Sequence, residues 1–317
     1  LGSDWWEEIQ RLIVEFVGDH MVALVVDERV AELYRDKVEA WRDVLPRVRV
    51  LELQAGEGAK TFETMVKIQK FLLHNEVHRD DILLSMGGGS ISDVVGFAAA
   101  TFTRGIGWVN FPTTLIAMTD CAVGGKTAIN LESNKNYCGV FYWPNAQMID
   151  LSFTGTLSER QYSAAIPEMA KLSMIGRGDI FERMCEVCTP SAGAKGLDAD
   201  LIDFVEPMIK LKSTISSADP YQHGIRKVLL TGHVTAHALE GASKLHLHHG
   251  EAVSIGLAFE SHIAEKRGLL STATRRKLID LLENCKLPIM LPSELHDSTL
   301  VDYLSLIHIS EPTRLRR

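Results

Sequence analysis

Three sets of residues in this 317-residue chain have the types and spacing to do chemistry. The first is a histidine group. His233 and His237 stand four apart in a helical run, so they share a face. His246, His248 and His249 follow, just ahead of Gly250 and Glu251. Imidazoles from these segments plus a carboxylate would suit a divalent metal. Glu168 lies in otherwise apolar sequence, Ala165-Ile166-Pro167-Glu168-Met169-Ala170-Lys171. If buried it needs a partner, and a metal is one; a capping or surface role is the alternative. His246 and His248 read as surface residues.

The second set is cationic. Lys126 follows Gly124-Gly125, with Asp120 before it and Lys135-Asn136 after it. Two lysines and an amide among glycines and apolar residues suit an anion such as phosphate, or else form a solvated loop. Arg104 is a second anion contact or a surface charge. Lys171 is three residues after Glu168 and shares its helix face. Lys212 and Arg226 flank the polar turn 219–224, and either could hold a carboxylate, Arg226 by a bidentate fork. The third set is Gly87-Gly88-Gly89, which follows the apolar run 82–86 and opens a helical run at Ser90. Strand, glycine turn and helix bring backbone N–H groups and a helix N-terminus to a phosphate. Asp93, one turn in, complements that N-terminus or accepts hydrogen bonds from a cofactor. The turn is not the Gly-x-Gly-x-x-Gly dinucleotide fingerprint.

The elements that must position these residues change character midway. Hydrophobic periodicity predicts helices over 5–16, 30–41, 60–74 and 90–101, and strands over 21–26, 48–53, 82–86, 108–111 and 147–151. This alternation implies a parallel sheet covered by helices. Beyond residue 157 helices are predicted over 158–175, 179–187, 199–217, 227–245, 251–267 and 273–285, with few strand signals. The expected organisation is an α/β domain over 1–155 and an all-helical domain over 156–303. Residues 304–317 read as a translated sequencing adapter and are excluded from the fold. A net charge of −8 and a pI near 5.9 exclude general nucleic-acid binding. No apolar run reaches membrane-spanning length. Five cysteines without regular spacing predict reduced thiols and a cytoplasmic protein, with Cys185 and Cys188 ordinary helix residues.

Together these segments resemble the sugar phosphate cyclases, nearest to the 3-dehydroquinate synthases, from about Val22 to Arg267. The stretches that carry the resemblance are 87–101, Pro112-Thr113-Thr114-Leu115, 120–126, Lys135-Asn136, 167–171, Gly232-His233 with His237, and 249–253. The resemblance implies an N-terminal NAD-binding α/β domain, a helical metal-binding domain, and an active site between them. It implies Glu168, His233 and His249 as ligands of Zn2+ (or Co2+). It implies cofactor contacts at Asp27, Glu57, Lys60, Gly88, Gly89, Asp93, Thr113, Thr114, Phe153, Thr156 and Leu157. Substrate contacts fall on Asp120, Lys126, Lys135, Asn136, Lys171, Lys212, Arg226 and His237, the last a candidate proton relay. Arg104 matches an arginine that reaches a neighbouring subunit's phosphate site, which implies a homodimer. The implied reaction is carbocycle formation from a sugar phosphate with loss of phosphate and no net redox, and the partner is that small molecule alone, with no nucleic acid and no membrane.

Departures bear on the substrate. Leu230 stands where the family usually has Asn, and Gln161 where an acid is common. Pro167 and Met169 also depart from the usual neighbours of the metal-binding glutamate. Arg226 favours a carboxylate substrate, the 3-deoxy-D-arabino-heptulosonate 7-phosphate of the shikimate pathway. Leu230 favours a sister cyclase of the 2-epi-5-epi-valiolone or 2-deoxy-scyllo-inosose synthase type. A metal-dependent polyol dehydrogenase would share the architecture but needs no phosphate clamp, and an inactive homologue used as a scaffold is the remaining rival.

Overall fold

The computed structural model describes residues 1–132, 134–242 and 247–292. His246 and the expected tail 304–317 lie outside the described residues. The chain divides into two compact units, Leu1–Leu157 and a second that begins at Ser158.

The first unit runs α1 (Trp6–Val17), β1 (Val22–Asp27), α2 (Glu28–Leu33), α3 (Arg35–Val44), β2 (Val48–Leu53), α4 (Phe62–His74), β3 (Ile82–Gly87), α5 (Gly89–Thr101), β4 (Gly107–Pro112), β5 (Lys126–Leu131), β6 (Asn134–Phe141) and β7 (Ala146–Gln147). Five strands form a parallel sheet in the order β2-β1-β3-β4-β7. β1 and β3 are buried almost throughout, as strands covered on both faces must be. Ala23, Val25 and Leu83 pack under Ile68 and Leu72 of α4 and Ile91, Val94 and Val95 of α5. Registers Val26↔Met86 and Gly87↔Pro112 align the carboxyl ends of β1, β3 and β4. Asp27, the glycine turn and Thr113-Thr114 therefore emerge together, where ligands bind in sheets of this kind.

Several elements differ from the sequence reading. The helix expected over 30–41 is two, broken at Tyr34 (φ −124°, ψ 38°). The Tyr34 ring lies 4.3 Å from that of Phe153, and its hydroxyl meets Thr156 Oγ1 at 2.8 Å. The strand expected over 147–151 shrinks to Ala146–Gln147, because Asp150 instead caps a 3₁₀ turn, Leu151–Thr156, and accepts from Asp4 and Trp5 N–H. The segment read as a loop around Lys126 and Lys135 is an antiparallel hairpin, β5–β6, packed on α5.

The second unit holds α6 (Glu159–Ser163), α7 (Ile166–Gly176), α8 (Gly178–Val187), α9 (Leu201–Ala218), α10 (His233–Ala242), α11 (His249–Lys266) and α12 (Thr272–Asn284), with no strand among the described residues. Pro167 lacks an N–H and tolerates only a first turn, so the single helix expected over 158–175 becomes α6 and α7. The helix expected from 227 is a 3₁₀ turn, Ile225–Leu230, followed by α10. Gly232 at φ 82° makes the break, in a region open to glycine. Among the described residues no helix is long and apolar enough to cross a membrane.

Phe153 is 1% exposed and meets Trp6, Tyr34 and Phe111 at ring separations of 4.3–6.1 Å. Phe153→Ala should cost about 3–5 kcal/mol of unfolding free energy in urea titration; a cost near zero would mean this cluster does not hold the first unit together.

Candidate metal and cofactor sites

The histidine and carboxylate groups converge within the helical unit. Pro167 lies in the first turn of α7, beside Glu168, whose side chain is fully buried. His233 opens α10 and His249 opens α11. Glu168 Oε1 lies 3.3 Å from His233 Nε2 and 3.6 Å from His249 Nε2. Donors about 2.1 Å from a tetrahedral ion are about 3.4 Å apart, so this spacing fits zinc-like coordination. The three donor atoms all lie within 4.8 Å of one another. Among the described residues these three donors converge, and a set of three is the number that catalytic rather than structural zinc sites take from the protein. Glu168 Oε2 faces elsewhere, 2.5 Å from Lys171 Nζ. Lys171 also donates to Leu229 O at 2.7 Å, which ties α7 to the turn carrying Arg226.

Burial alone would push the Glu168 carboxyl up; Lys171 and the two imidazoles outweigh it and hold the group well below the usual range, ionised. His233 is driven down to about 3 by burial, with Lys171 adding to the effect against Glu168. It is therefore a neutral imidazole, the form that binds metal. Burial of His249 is instead outweighed by Glu168 and Glu240, which raise it to about 10, so that a cation on the donor set would have to displace its Nε2 proton.

Close backbone approach sets this geometry. A Cβ on Gly256 of α11 would lie 2.0 Å from Gly232 O, immediately before His233. A Cβ on Gly250 would lie 1.8 Å from Ala164 O, at the entry to α7. His248, expected on the surface, is half-buried and N-caps α11, its N–H donating to Glu251 Oε2 at 2.8 Å. Arg160 grips both oxygens of Glu251 at 2.6 and 2.8 Å. Gln161, where an acid was the common residue, completes a capping box with Ser158.

Lys212 and Arg226 are 6% and 2% exposed, so both are buried cations rather than solvated ones. Asp219 shapes the turn between them by accepting from the N–H groups of His223, Gly224 and Arg226. The His237 ring lies 5.5 Å from that of His233 and 6.5 Å from that of His249. Glu240, which the sequence reading did not single out, lies 3.3 Å from His249 Nδ1. It stands three residues after His237 on the same face of α10, but its partner lies on another helix, which spacing alone does not reveal.

In the first unit the glycine turn is required by contact, not by left-handed backbone. A Cβ on Gly88 would approach Thr114 Cγ2 to 3.2 Å, and one on Gly89 would approach Cys121 Sγ to 2.8 Å. α5 starts here without a side-chain cap. Asp27 ends β1 and caps α2 through the Arg29 N–H, its carboxyl raised by burial. Lys60 is buried and donates to Asp93 Oδ2 at 2.6 Å and to Asn136 Oδ1. Burial opposes the Lys60 charge, but Asp93 and Glu57 outweigh it and raise its pKa. Asn136, expected to contact the substrate, is folded by the hairpin onto Lys60, with its N–H on Asn130 Oδ1 and the Asn130 N–H on Lys60 O. Glu57 accepts from Asn130 Nδ2 at 2.8 Å. Thr113 and Thr114 lie at the turn after β4, Thr113 N–H bonded to Gly87 O. Phe153 is sealed in the core, its carbonyl accepting from the Tyr34 hydroxyl, and it is followed by Thr156 and Leu157 at the end of the unit.

Lys126 and Lys135 sit at opposite ends of the hairpin: Lys126 pairs with Phe141 where it opens, and Lys135 lies beside its turn. Strand rise separates those ends by roughly 14 Å. Asp120 lies on a π-helical turn, Ala117–Cys121, a rare geometry associated with functional sites. Arg104 is exposed and left-handed at φ 66°, next to Thr103 at φ 50°.

Family models for the 3-dehydroquinate synthase N-terminal and C-terminal domains match residues 50–164 and 165–306. The chain is 37% identical over 299 residues to the 3-dehydroquinate synthase of Legionella pneumophila strain Paris, covering 93% of this chain and 79% of that one. The chain belongs to the 3-dehydroquinate synthase family. The synthase of Dichelobacter nodosus strain VCS1703A is 36% identical over 288 residues, 90% of this chain and 77% of its own. Among solved structures, the 2-epi-5-epi-valiolone synthase of Streptomyces hygroscopicus subsp. jinggangensis 5008, with NAD+ and Zn2+ bound, superposes with a TM-score of 0.89 at 24% identity, over 98% of this chain and 86% of its own. A glycerol dehydrogenase from Schizosaccharomyces pombe reaches a TM-score of 0.65 at 17% identity, over 96% and 80%. These last two share the synthase fold.

Gly256→Ala should move Gly232 and His233 away from α11. Zinc affinity measured by chelator competition should fall at least ~10-fold, with about 1–3 kcal/mol lost in stability. Gly178→Ala, with nothing within 4 Å of its new Cβ, should leave both unchanged. Equal zinc affinity in the two variants would contradict the role given to the α10–α11 contact.

Proposed function

We propose that this chain closes 3-deoxy-D-arabino-heptulosonate 7-phosphate into 3-dehydroquinate with loss of phosphate, in the shikimate pathway. The observation that carries this reading is the helical unit's donor set, a three-ligand metal centre with Lys171, Lys212 and Arg226 buried in the same unit. Lys171 pairs with Glu168, and Lys212 and Arg226 add two further buried positive charges to the unit. Such a setting suits a substrate that carries both a phosphate and a carboxylate, and a guanidinium is the side chain that can hold a carboxylate by a fork. Family membership supports the same reaction.

Zn2+ or Co2+ on Glu168, His233 and His249 would polarise a substrate hydroxyl, and NAD would take a hydride from that carbon, making the adjacent C–H acidic so that phosphate can leave, and would return the hydride afterwards. The chain's own residues do the rest. Glu168 keeps Oε1 toward the two imidazoles because Lys171 holds Oε2. Asp27, Gly88, Gly89, Thr113 and Thr114 shape the dinucleotide seat at the strand ends, with Lys60, Asp93, Glu57 and Asn136 beside it. Lys126, Lys135 and Asp120 are assigned to the substrate, with Lys212 and Arg226 holding its anionic groups for closure, which is catalysis by proximity. His237 is the proton relay toward the leaving phosphate. As part of the same reading the enzyme is cytoplasmic and homodimeric, with Arg104 reaching the partner's phosphate site.

The test supplies NAD+, Zn2+ and the heptulosonate phosphate and follows inorganic phosphate and NADH together. Phosphate should accumulate while NADH stays at baseline, and chelation should abolish turnover until zinc or cobalt is restored. Arg226→Ala should lower kcat/KM by roughly 10²-fold or more, since a charge-assisted fork to a carboxylate is lost. Steady NADH build-up would replace this reading with a dehydrogenase. Turnover of sedoheptulose 7-phosphate in preference to the heptulosonate would move it to the sister cyclases that Leu230 favours.

A further inference from the structure

Both metal-facing imidazoles are held from behind, but by different groups. His233 Nδ1 lies 3.3 Å from the backbone carbonyl of Thr231. His249 Nδ1 lies 3.3 Å from Glu240 Oε1, a side chain only 5% exposed. The His249 ring therefore spans two carboxylates, Glu240 through Nδ1 and Glu168 through Nε2. An ionised carboxylate only accepts hydrogen bonds, so Nδ1 must carry the proton. With Nδ1 committed to Glu240, Nε2 is the nitrogen that faces Glu168 Oε1 and would give its lone pair to a cation held there.

The placement follows from α10. Positions 233, 237 and 240 recur along one helix face, which delivers a ligand, the relay candidate and then Glu240. α11 begins at His249, so Glu240 links the last turns of α10 to the first residue of α11. Without this contact the His249 ring keeps its position on α11 but loses the constraint on its rotation about χ2 and on its tautomer.

We propose that Glu240 is a positioning residue for the metal centre, fixing His249 in the tautomer and ring orientation that ligate through Nε2. Its carboxylate also makes His249 a stronger donor than His233, which is backed only by a neutral carbonyl. The inference rests on the metal-site reading above and extends it to a residue outside the ligand set.

The experiment compares wild type, Glu240→Ala and Glu240→Gln. Each is stripped with a chelator and titrated with Co2+, read by d–d absorption and by competition for the dissociation constant, with NAD+ affinity measured in parallel. Glu240→Ala should weaken cobalt binding ~10–100-fold, with an altered d–d spectrum and unchanged NAD+ affinity. Glu240→Gln keeps an oxygen that can accept from Nδ1, so it should recover most of the affinity and the spectrum. It also keeps the comparison informative should the alanine variant fold poorly. Cobalt affinity and spectra within about twofold of wild type in both variants would overturn the role of Glu240 while leaving the ligand set standing. A wild-type protein that takes up no cobalt would overturn the ligand set itself, and this inference with it.

Discussion

Glu168 is a carboxylate with no solvent exposure in the middle of a helical unit, and the surrounding structure is arranged to keep it charged. An unpartnered ionised group there would be too costly to persist. Its two oxygens are committed in different directions, Oε2 to Lys171 and Oε1 to the imidazoles of His233 and His249. Each partner arrives on a separate helix, so α7, α10 and α11 must approach within backbone contact. Glycine at 250 and 256 permits that approach, and proline at 167 sets where α7 begins. The same constraint draws Leu229 O onto Lys171, and with it the turn that carries Arg226.

The α/β unit solves a related problem with fewer charges. Lys60 is as buried as Lys171 and likewise has a carboxylate beside it, Asp93. Burial pushes the Asp93 carboxyl up against the opposing effect of Lys60, while Asp93 and Glu57 raise Lys60 against its own burial. The glycine turn lies next to it at the aligned ends of β1, β3 and β4. Sheet topology thus supplies the location, and the absence of side chains at Gly88 and Gly89 supplies the close fit against Thr114 and Cys121.

Much of this was legible in the sequence because it rests on local periodicity. Continuous apolar runs marked β1 and β3, and 3.6-residue spacing marked α4, α5, α9 and α12. The breaks were harder. Tyr34 interrupts a helix where its ring packs on Phe153, more than a hundred residues later, a contact that local periodicity does not show. β5 and β6 escaped notice because Lys126-Thr-Ala-Ile-Asn-Leu131 is half polar and follows two glycines, which reads as a loop; packing of Ile129 and Cys138 against α5 makes it a hairpin. That hairpin also separates Lys126 from Lys135 and brings Asn136 to Lys60, a pairing that residue spacing does not reveal. In the helical unit an acid in apolar sequence and two histidines at helical spacing, His233 and His237, pointed toward a metal, and the resemblance to the cyclases picked out Glu168, His233 and His249. Glu240 did not stand out, because its partner His249 comes from the start of another helix.

The account depends on Glu168, His233 and His249 sharing one ion. Anomalous diffraction at the zinc edge from crystals grown with zinc tests this directly. The prediction is a single strong peak about 2.0–2.2 Å from Glu168 Oε1, His233 Nε2 and His249 Nε2. No peak on these three atoms, with zinc bound elsewhere or not at all, would contradict it.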